Sequence, residues 1–181
     1  MTRRIVPYLS ADITEPVELV NSIRERRGGQ LLELDRMLLH SAPFAKGWNA
    51  FLKEVRQNLA VDAKLRELSI LAVAVLNKAD YEFVQHAPVY LQAGGCEKEL
   101  SALGRLGAAG YDLSAFSPLE QEVCELALAM TRDIVVPDEL LQTLKNTLGE
   151  TQVVELVGVI ATYNMVSRFL VALDIHPHAL S

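Results

Sequence analysis

The sequence predicts an all-α fold, because apolar residues recur with helical spacing along most of its 181 residues. No stretch alternates polar and apolar residues over the length of a strand beside turn signals. Glycine and proline residues divide the chain into segments of helix length. Half of the residues are hydrophobic, which suits a single globular domain that spans residues 1–181.

Nine helices are predicted in chain order, each bounded by a capping residue, a glycine or a proline. They cover residues 15–27, 30–40, 48–59, 63–78, 81–93, 97–107, 117–133, 137–149 and 150–174. Pro88 lies inside the fifth helix, where it is expected to introduce a kink or to leave one backbone hydrogen bond unmade. Gly149 is the expected C-cap between the last two helices.

Several predicted helices begin at a residue suited to capping. Thr14, Asp62 and Asp80 each precede a helical pattern and are expected as N-caps. Ser117 is followed three positions later by Glu120, which is the spacing of a capping box.

Two helical segments, residues 65–76 and 153–171, are apolar around most of their circumference. Such helices either lie at the centre of a fold or form an interface between subunits. We therefore expect a homo-oligomer.

Composition argues against several classes of protein. The net charge of −6, without a basic block, does not suit nucleic-acid binding. No apolar run approaches the roughly 20 residues of a membrane span, and the N-terminal segment lacks the apolar core of a secretory signal. Cys96 and Cys124 form neither a CxxC motif nor a disulfide framework, so we expect a cytoplasmic protein.

A group of polar residues follows the apolar segment 65–76. Glu82 and His86 are four residues apart on one helix face, so the carboxylate can orient the imidazole and increase its basicity. Tyr81 adds a phenol, and Glu67 approaches His86 if the two helices pack antiparallel. Each residue also has a structural interpretation, since Glu–His pairs of this spacing are common and Glu67 can pair with a nearby cation.

A second polar group interrupts the last predicted helix. It contains Tyr163, Asn164 and Arg168. Arg168 suits a carboxylate because its planar guanidinium can bond both oxygens, so Arg168 and Asn164 are candidate substrate-binding residues. The alternative is that Arg168 pairs with a buried carboxylate such as Glu155 of a neighbouring subunit.

The segment RELSILAVAVLNKADYEFVQHAPVYLQAGG, residues 66–95, resembles the core motif of the carboxymuconolactone decarboxylase family, which includes alkyl hydroperoxidase D. The shared features are Arg-Glu at the start of an apolar helix, then Tyr-Glu, a histidine four residues later and a glycine stop. The resemblance implies a family core at residues 41–175 and an N-terminal helical extension at residues 1–40. It also implies a helical bundle that assembles into trimers or hexamers.

The peroxidase branch of that family places a CxxC motif seven and four residues before the histidine. In that branch, an upstream glutamate and the histidine relay protons to the thiols. Glu67 and His86 match the glutamate and the histidine, whereas Ala79 and Glu82 occupy the cysteine positions. The resemblance therefore implies that dithiol peroxidase chemistry is absent.

The resemblance instead implies the decarboxylase-like branch, which acts without a cofactor on small cyclic carboxylates. Loss of CO₂ beside a carbonyl leaves an enolate, which needs a hydrogen-bond donor for its oxygen and an acid for its carbon. His86, supported by Glu82 or Glu67, is the expected acid, and Tyr81 is the expected donor.

Three alternatives stay open at this stage. One is a thiol-dependent antioxidant protein that uses Cys96 or Cys124. Another is a protein that binds a small ligand without catalysis. The third is a metal site built from Glu67, Glu82 and His86, although we expect neither a metal nor a cofactor.

Overall fold

The computed structural model describes residues 5–177, and within them every regular element is a helix. The all-α prediction is therefore confirmed. In chain order the helices are α1 (Val17–Arg26), α2 (Glu33–Leu38), α3 (Ala42–Gln57), α4 (Ala63–Asn77), α5 (Asp80–Gln92), α6 (Glu97–Leu103), α7 (Pro118–Arg132) and α8 (Asp138–Ala172).

The described residues divide into two compact units. One contains residues 5–58 and 172–177, and the other contains residues 59–171. The sequence placed an extension at residues 1–40 within one domain, and that domain assignment stays a prediction. All the candidate site residues belong to the second unit.

The predicted N-caps are partly correct. Asp62 caps α4, since its side chain accepts hydrogen bonds from the backbone N–H groups of Lys64 and Leu65. The capping box of Ser117 at the start of α7 is also confirmed. The prediction for Thr14 is wrong because Pro16 occupies the N-cap of α1. The prediction for Asp80 is wrong because Asp80 is already the first residue of α5.

Two helix-breaking residues sit inside elements. Pro88 lies within α5, where it removes the N–H that would bond the carbonyl of Val84. Both residues are exposed, so water can satisfy that carbonyl and the helix continues. Gly149 has φ 80° and ψ 170° within α8, which confirms the predicted boundary between two helical segments.

Helix α8 is the one helix among residues 5–177 that is long and apolar enough to cross a membrane by length and composition alone. Half of its most apolar stretch is buried inside the fold. Core helices can have the same length and apolar composition, so these two properties are weak evidence for a membrane span.

Helix α4 lies at the centre of the second unit and packs against α5 and α7. Its buried residues cover the whole circumference and include Leu68, Ile70, Leu71, Ala72 and Val73, all without solvent exposure. Its apolar character is thus explained by a central position. Helix α8 differs, since Val154 and Val171 are 70% and 52% exposed. The predicted homo-oligomer stays a prediction.

A close approach of backbone to ring makes Gly95 sensitive to substitution. A Cβ added at Gly95 would lie 2.2 Å from a carbon of the Tyr90 ring. Tyr90 has no solvent exposure and donates a hydrogen bond to Glu99, so its ring has little room to move. We expect Gly95→Ala to lower the free energy of unfolding by about 1–3 kcal/mol, measured by urea denaturation.

Gly158 in α8 provides the control for this prediction. A Cβ at Gly158 meets no atom within 4 Å. Gly158→Ala should therefore leave stability unchanged or raise it, since alanine favours helix. Equal stability of the Gly95→Ala variant and the wild type would contradict the clash with Tyr90.

Candidate functional site

A short turn brings α5 back beside α4. Lys78 adopts a left-handed conformation at φ 57°, and the N–H of Ala79 donates to the carbonyl of Ala74 at 2.8 Å. This terminates α4 after Asn77 and allows α5 to begin at Asp80. The reversal lets side chains of the two helices meet.

Glu67 and His86 are in contact across these helices, which confirms their predicted approach. The Glu67 Oε2 atom lies 2.7 Å from His86 Nδ1, and the two side chains are 4% and 13% exposed. The other carboxylate oxygen lies 3.5 Å from Nε of Arg66. Because a carboxylate accepts hydrogen bonds, it favours a proton on Nδ1 and leaves Nε2 as the nitrogen that can exchange a proton.

Tyr163 of α8 faces that second nitrogen. Its hydroxyl lies 3.4 Å from His86 Nε2, and the two rings meet edge to face with centroids 5.2 Å apart. The contact is longer than a typical hydrogen bond, so a substrate atom can compete for the same position. The sequence placed Tyr163 in a polar group but gave it no catalytic role.

Glu82 bonds a side chain of α8, and its predicted pairing with His86 stays a prediction. It is 1% exposed, and its Oε2 accepts a hydrogen bond from the Ser167 hydroxyl at 2.5 Å. Ser167 belongs to α8, so this hydrogen bond joins α5 to α8. Tyr81 is 4% exposed, and its role as a donor to substrate stays a prediction.

Asn164 connects neighbouring helices. Its side-chain oxygen accepts from Asn77 at 3.0 Å and from Arg168 at 2.8 Å. Its amide nitrogen donates to Thr131 and to the carbonyl of Ile160. These bonds use its full hydrogen-bonding capacity, which favours a structural role over the predicted substrate-binding role.

Arg168 occupies the exposed side of α8. Its Nη1 atom donates to both the backbone and the side-chain oxygen of Asn164. Glu155, its alternative partner in the sequence analysis, accepts instead from the N–H of Val61 at 2.7 Å within the same chain. Substrate binding by Arg168 stays a prediction.

The two cysteines occupy separate environments. Cys124 is fully buried, and burial raises the pKa of its thiol, with Glu125 and Glu120 adding to the shift. A thiol held protonated in this way is a poor nucleophile. Cys96 is exposed and immediately precedes α6, and both cysteines are free thiols.

A metal site receives no support from the described part of the chain. No group of three or more His, Cys, Asp or Glu side chains among residues 5–177 is arranged to hold a metal ion. The carboxylates of Glu67 and Glu82 instead bond His86 and Ser167.

A second ionic cluster in this unit stabilises helix starts. Lys64 Nζ lies 2.9 Å from Glu99 and 2.5 Å from Glu120. Glu99 also accepts from the N–H of Cys96 at the start of α6, and Glu120 accepts from that of Ser117 at the start of α7. Lys64, itself in the first turn of α4, therefore ties three helix N-termini together.

Fold and site together describe an all-helical protein with a buried Glu–His pair and no neighbouring thiol pair. Residues 42–117 match the model of the carboxymuconolactone decarboxylase family. The matched segment contains both Glu67 and His86, so the resemblance predicted from the sequence is confirmed. No curated protein matches the chain significantly.

Solved structures with the same fold cover nearly the whole chain. An uncharacterized peroxidase-related protein from Silicibacter sp. TM1040 has 17% identity and a TM-score of 0.79, covering 99% of this chain and 96% of its own. A peroxidase-related protein with an alkylhydroperoxidase AhpD core, from Ralstonia eutropha JMP134, has 13% identity and a TM-score of 0.76. The match covers 96% of this chain and 92% of that protein. The debrominase Bmp8, solved with 2,3,4-tribromopyrrole, has 14% identity and a TM-score of 0.77. The match covers 98% of this chain and 94% of that protein. At these identities the similarity shows the fold alone.

Proposed function

We propose that the protein is a cofactor-free acid–base enzyme that decarboxylates a small cyclic carboxylate or lactone. The observation that carries this proposal is the 2.7 Å contact between Glu67 and His86 inside the family segment. The residues at the two cysteine positions of the peroxidase branch, Ala79 and Glu82, have no thiol. The remaining pair can hold and transfer a proton but supplies no redox chemistry.

The proposed step breaks the bond between the ring carbon and the carboxylate. The electron pair passes to the neighbouring carbonyl and forms an enolate, and CO₂ leaves. The Nε2–H of protonated His86 then delivers its proton to the ring carbon, and solvent restores that proton. The Glu67 carboxylate, 2.7 Å from Nδ1, stabilises the imidazolium. The hydroxyl of Tyr163, beside Nε2, is placed to donate a hydrogen bond to the enolate oxygen.

Substrate turnover by a variant without cysteines tests this function. We expect wild type and the Cys96→Ser/Cys124→Ser variant to release CO₂ from carboxymuconolactone at similar rates, because the thiols take no part in the step. Loss of the ultraviolet absorbance of the substrate provides an independent measurement.

Two results would favour other functions. Consumption of a hydroperoxide with a dithiol present, abolished in the cysteine-free variant, would favour a thiol-dependent antioxidant protein. Binding of small carboxylates without turnover of any of them would favour a non-catalytic ligand-binding protein.

A further inference from the structure

Arg66 lies next to the Glu67–His86 pair, and its side chain is largely buried. We propose that its guanidinium binds a carboxylate of the substrate, one that is retained in the product. This inference rests on the proposed function and specifies its substrate as an acid with a carboxylate besides the one that leaves.

Arg66 has few partners for its degree of burial. Its side chain is 15% exposed, and its one hydrogen bond within residues 5–177 joins Nε to Glu67 Oε1 at 3.5 Å. A guanidinium carries five N–H donors, so most of them have no protein acceptor in the described part of the chain. The Arg66 nitrogens are not among the buried atoms that lack a partner, so these donors reach solvent and a ligand carboxylate can replace the water there. A guanidinium binds a carboxylate through two parallel charge-assisted hydrogen bonds, which favours an anionic ligand at this position.

The charge of Arg66 is only partly balanced by its neighbour. Glu67 is shared with His86, which lies closer to the carboxylate at 2.7 Å. Lys64, two residues earlier in α4, differs because Glu99 and Glu120 both pair with it. When His86 is protonated, two cations therefore flank a single carboxylate. A bound anion would restore neutrality.

Arg66 is better placed than Arg168 for this role. Arg168 is exposed and donates twice to Asn164, whereas Arg66 contacts the same carboxylate as the catalytic imidazole. An anion on Arg66 would hold the substrate ring beside His86. The carboxylate bound here is not the one that leaves, because a tight ion pair with the departing group would stabilise the substrate more than the transition state.

Binding of unreactive acids tests the inference without any turnover. The probes are benzoate and cyclopent-1-ene carboxylate, each compared with its neutral primary amide by ligand-observed NMR titration. Wild type should bind the acids in preference to the amides. Arg66→Met should weaken binding of the acids by about 10-fold or more, since a charge-assisted hydrogen bond is lost, and should leave the amides unaffected. Arg66→Lys should fall between the two, because lysine keeps the charge but not the planar fork.

Two further variants isolate the effect. Arg105→Met, a change at an exposed arginine with no role in the site, should bind the acids as wild type does, and His86→Ala should keep the preference for acids over amides. Circular dichroism and thermal melting verify that each variant is folded. Equal binding of acids and amides by wild type, or undiminished acid binding by folded Arg66→Met, would overturn the inference. Acid binding that depends on Arg66 without turnover of carboxymuconolactone would support it while refuting the decarboxylase proposal.

Discussion

Turnover is expected to fall to background in a His86→Ala variant, because this side chain supplies the proton that the enolate carbon receives. Alanine removes both the acid at Nε2 and the hydrogen-bond partner of Glu67. The helical fold should persist, since the imidazole lies at the edge of the buried core with 13% exposure. Measurement of CO₂ release with purified variant, beside its circular dichroism spectrum, separates lost chemistry from lost structure.

Glu67→Gln tests the carboxylate of the Glu67–His86 pair. Glutamine preserves the shape of the side chain but removes the charge that stabilises the imidazolium, so we expect kcat to fall by about 100-fold or more. Glu155→Gln serves as the control, because Glu155 is a half-buried carboxylate bonded to the N–H of Val61 outside this site. Combining Glu67→Gln with His86→Ala should cost no more than His86→Ala alone. Full activity of Glu67→Gln would remove the carboxylate from the mechanism.

The Glu67–His86 contact could be predicted because local information determines it. Asp62 caps α4, and a turn at residues 78–79 reverses the chain into α5, so residues close in sequence meet across one short connection. The family motif added the identities of the two residues. Each of these features can be read from about 30 consecutive residues.

The partners of this pair could not be predicted in the same way. Tyr163 is 77 positions from His86 and reaches it through the packing of α8, which no local pattern specifies. For the same reason Ser167 was missed as the partner of Glu82. The polar group in the last helix was a usable signal, but sequence alone did not indicate which of its members faces the histidine.

The ionic cluster around Lys64 was also missed, for a related reason. The sequence predicted the capping box of Glu120, which is a local feature. It did not reveal that Glu99 caps α6 or that one lysine joins both carboxylates. Those bonds depend on how α4, α6 and α7 are arranged in space.

Lys64→Met is expected to lower the free energy of unfolding by about 3 kcal/mol at neutral pH, because two largely buried carboxylates would lose their shared cation. Glu99 and Glu120 are each 7% exposed, and both bond Lys64 directly. Lys145→Met is the control, since the Lys145–Glu150 pair is exposed and its loss should leave stability nearly unchanged. Urea denaturation followed by circular dichroism measures both variants.

The destabilisation caused by Lys64→Met should be smaller at acidic pH. Burial alone would raise the pKa of Glu99 and Glu120, but hydrogen bonds from Lys64 and from the backbone outweigh it and hold each pKa below the ordinary 4.5. A lowered carboxyl pKa contributes stability that is present above the ordinary value and disappears as the pH falls through the folded value. In Lys64→Met the part of that contribution that comes from Lys64 is already gone, so the stabilities of variant and wild type should converge as the pH falls below 4.5.

At alkaline pH the same reasoning applies to the lysine. Burial alone would lower the pKa of Lys64, but Glu120 and Glu99 raise it above the ordinary 10.5. Its contribution is present below 10.5 and is lost only as the pH rises through the higher folded value. The difference between wild type and Lys64→Met should therefore form a plateau between the acid and alkaline limits. A difference that does not change with pH would show that Lys64 acts through packing of its methylene groups and not through its charge.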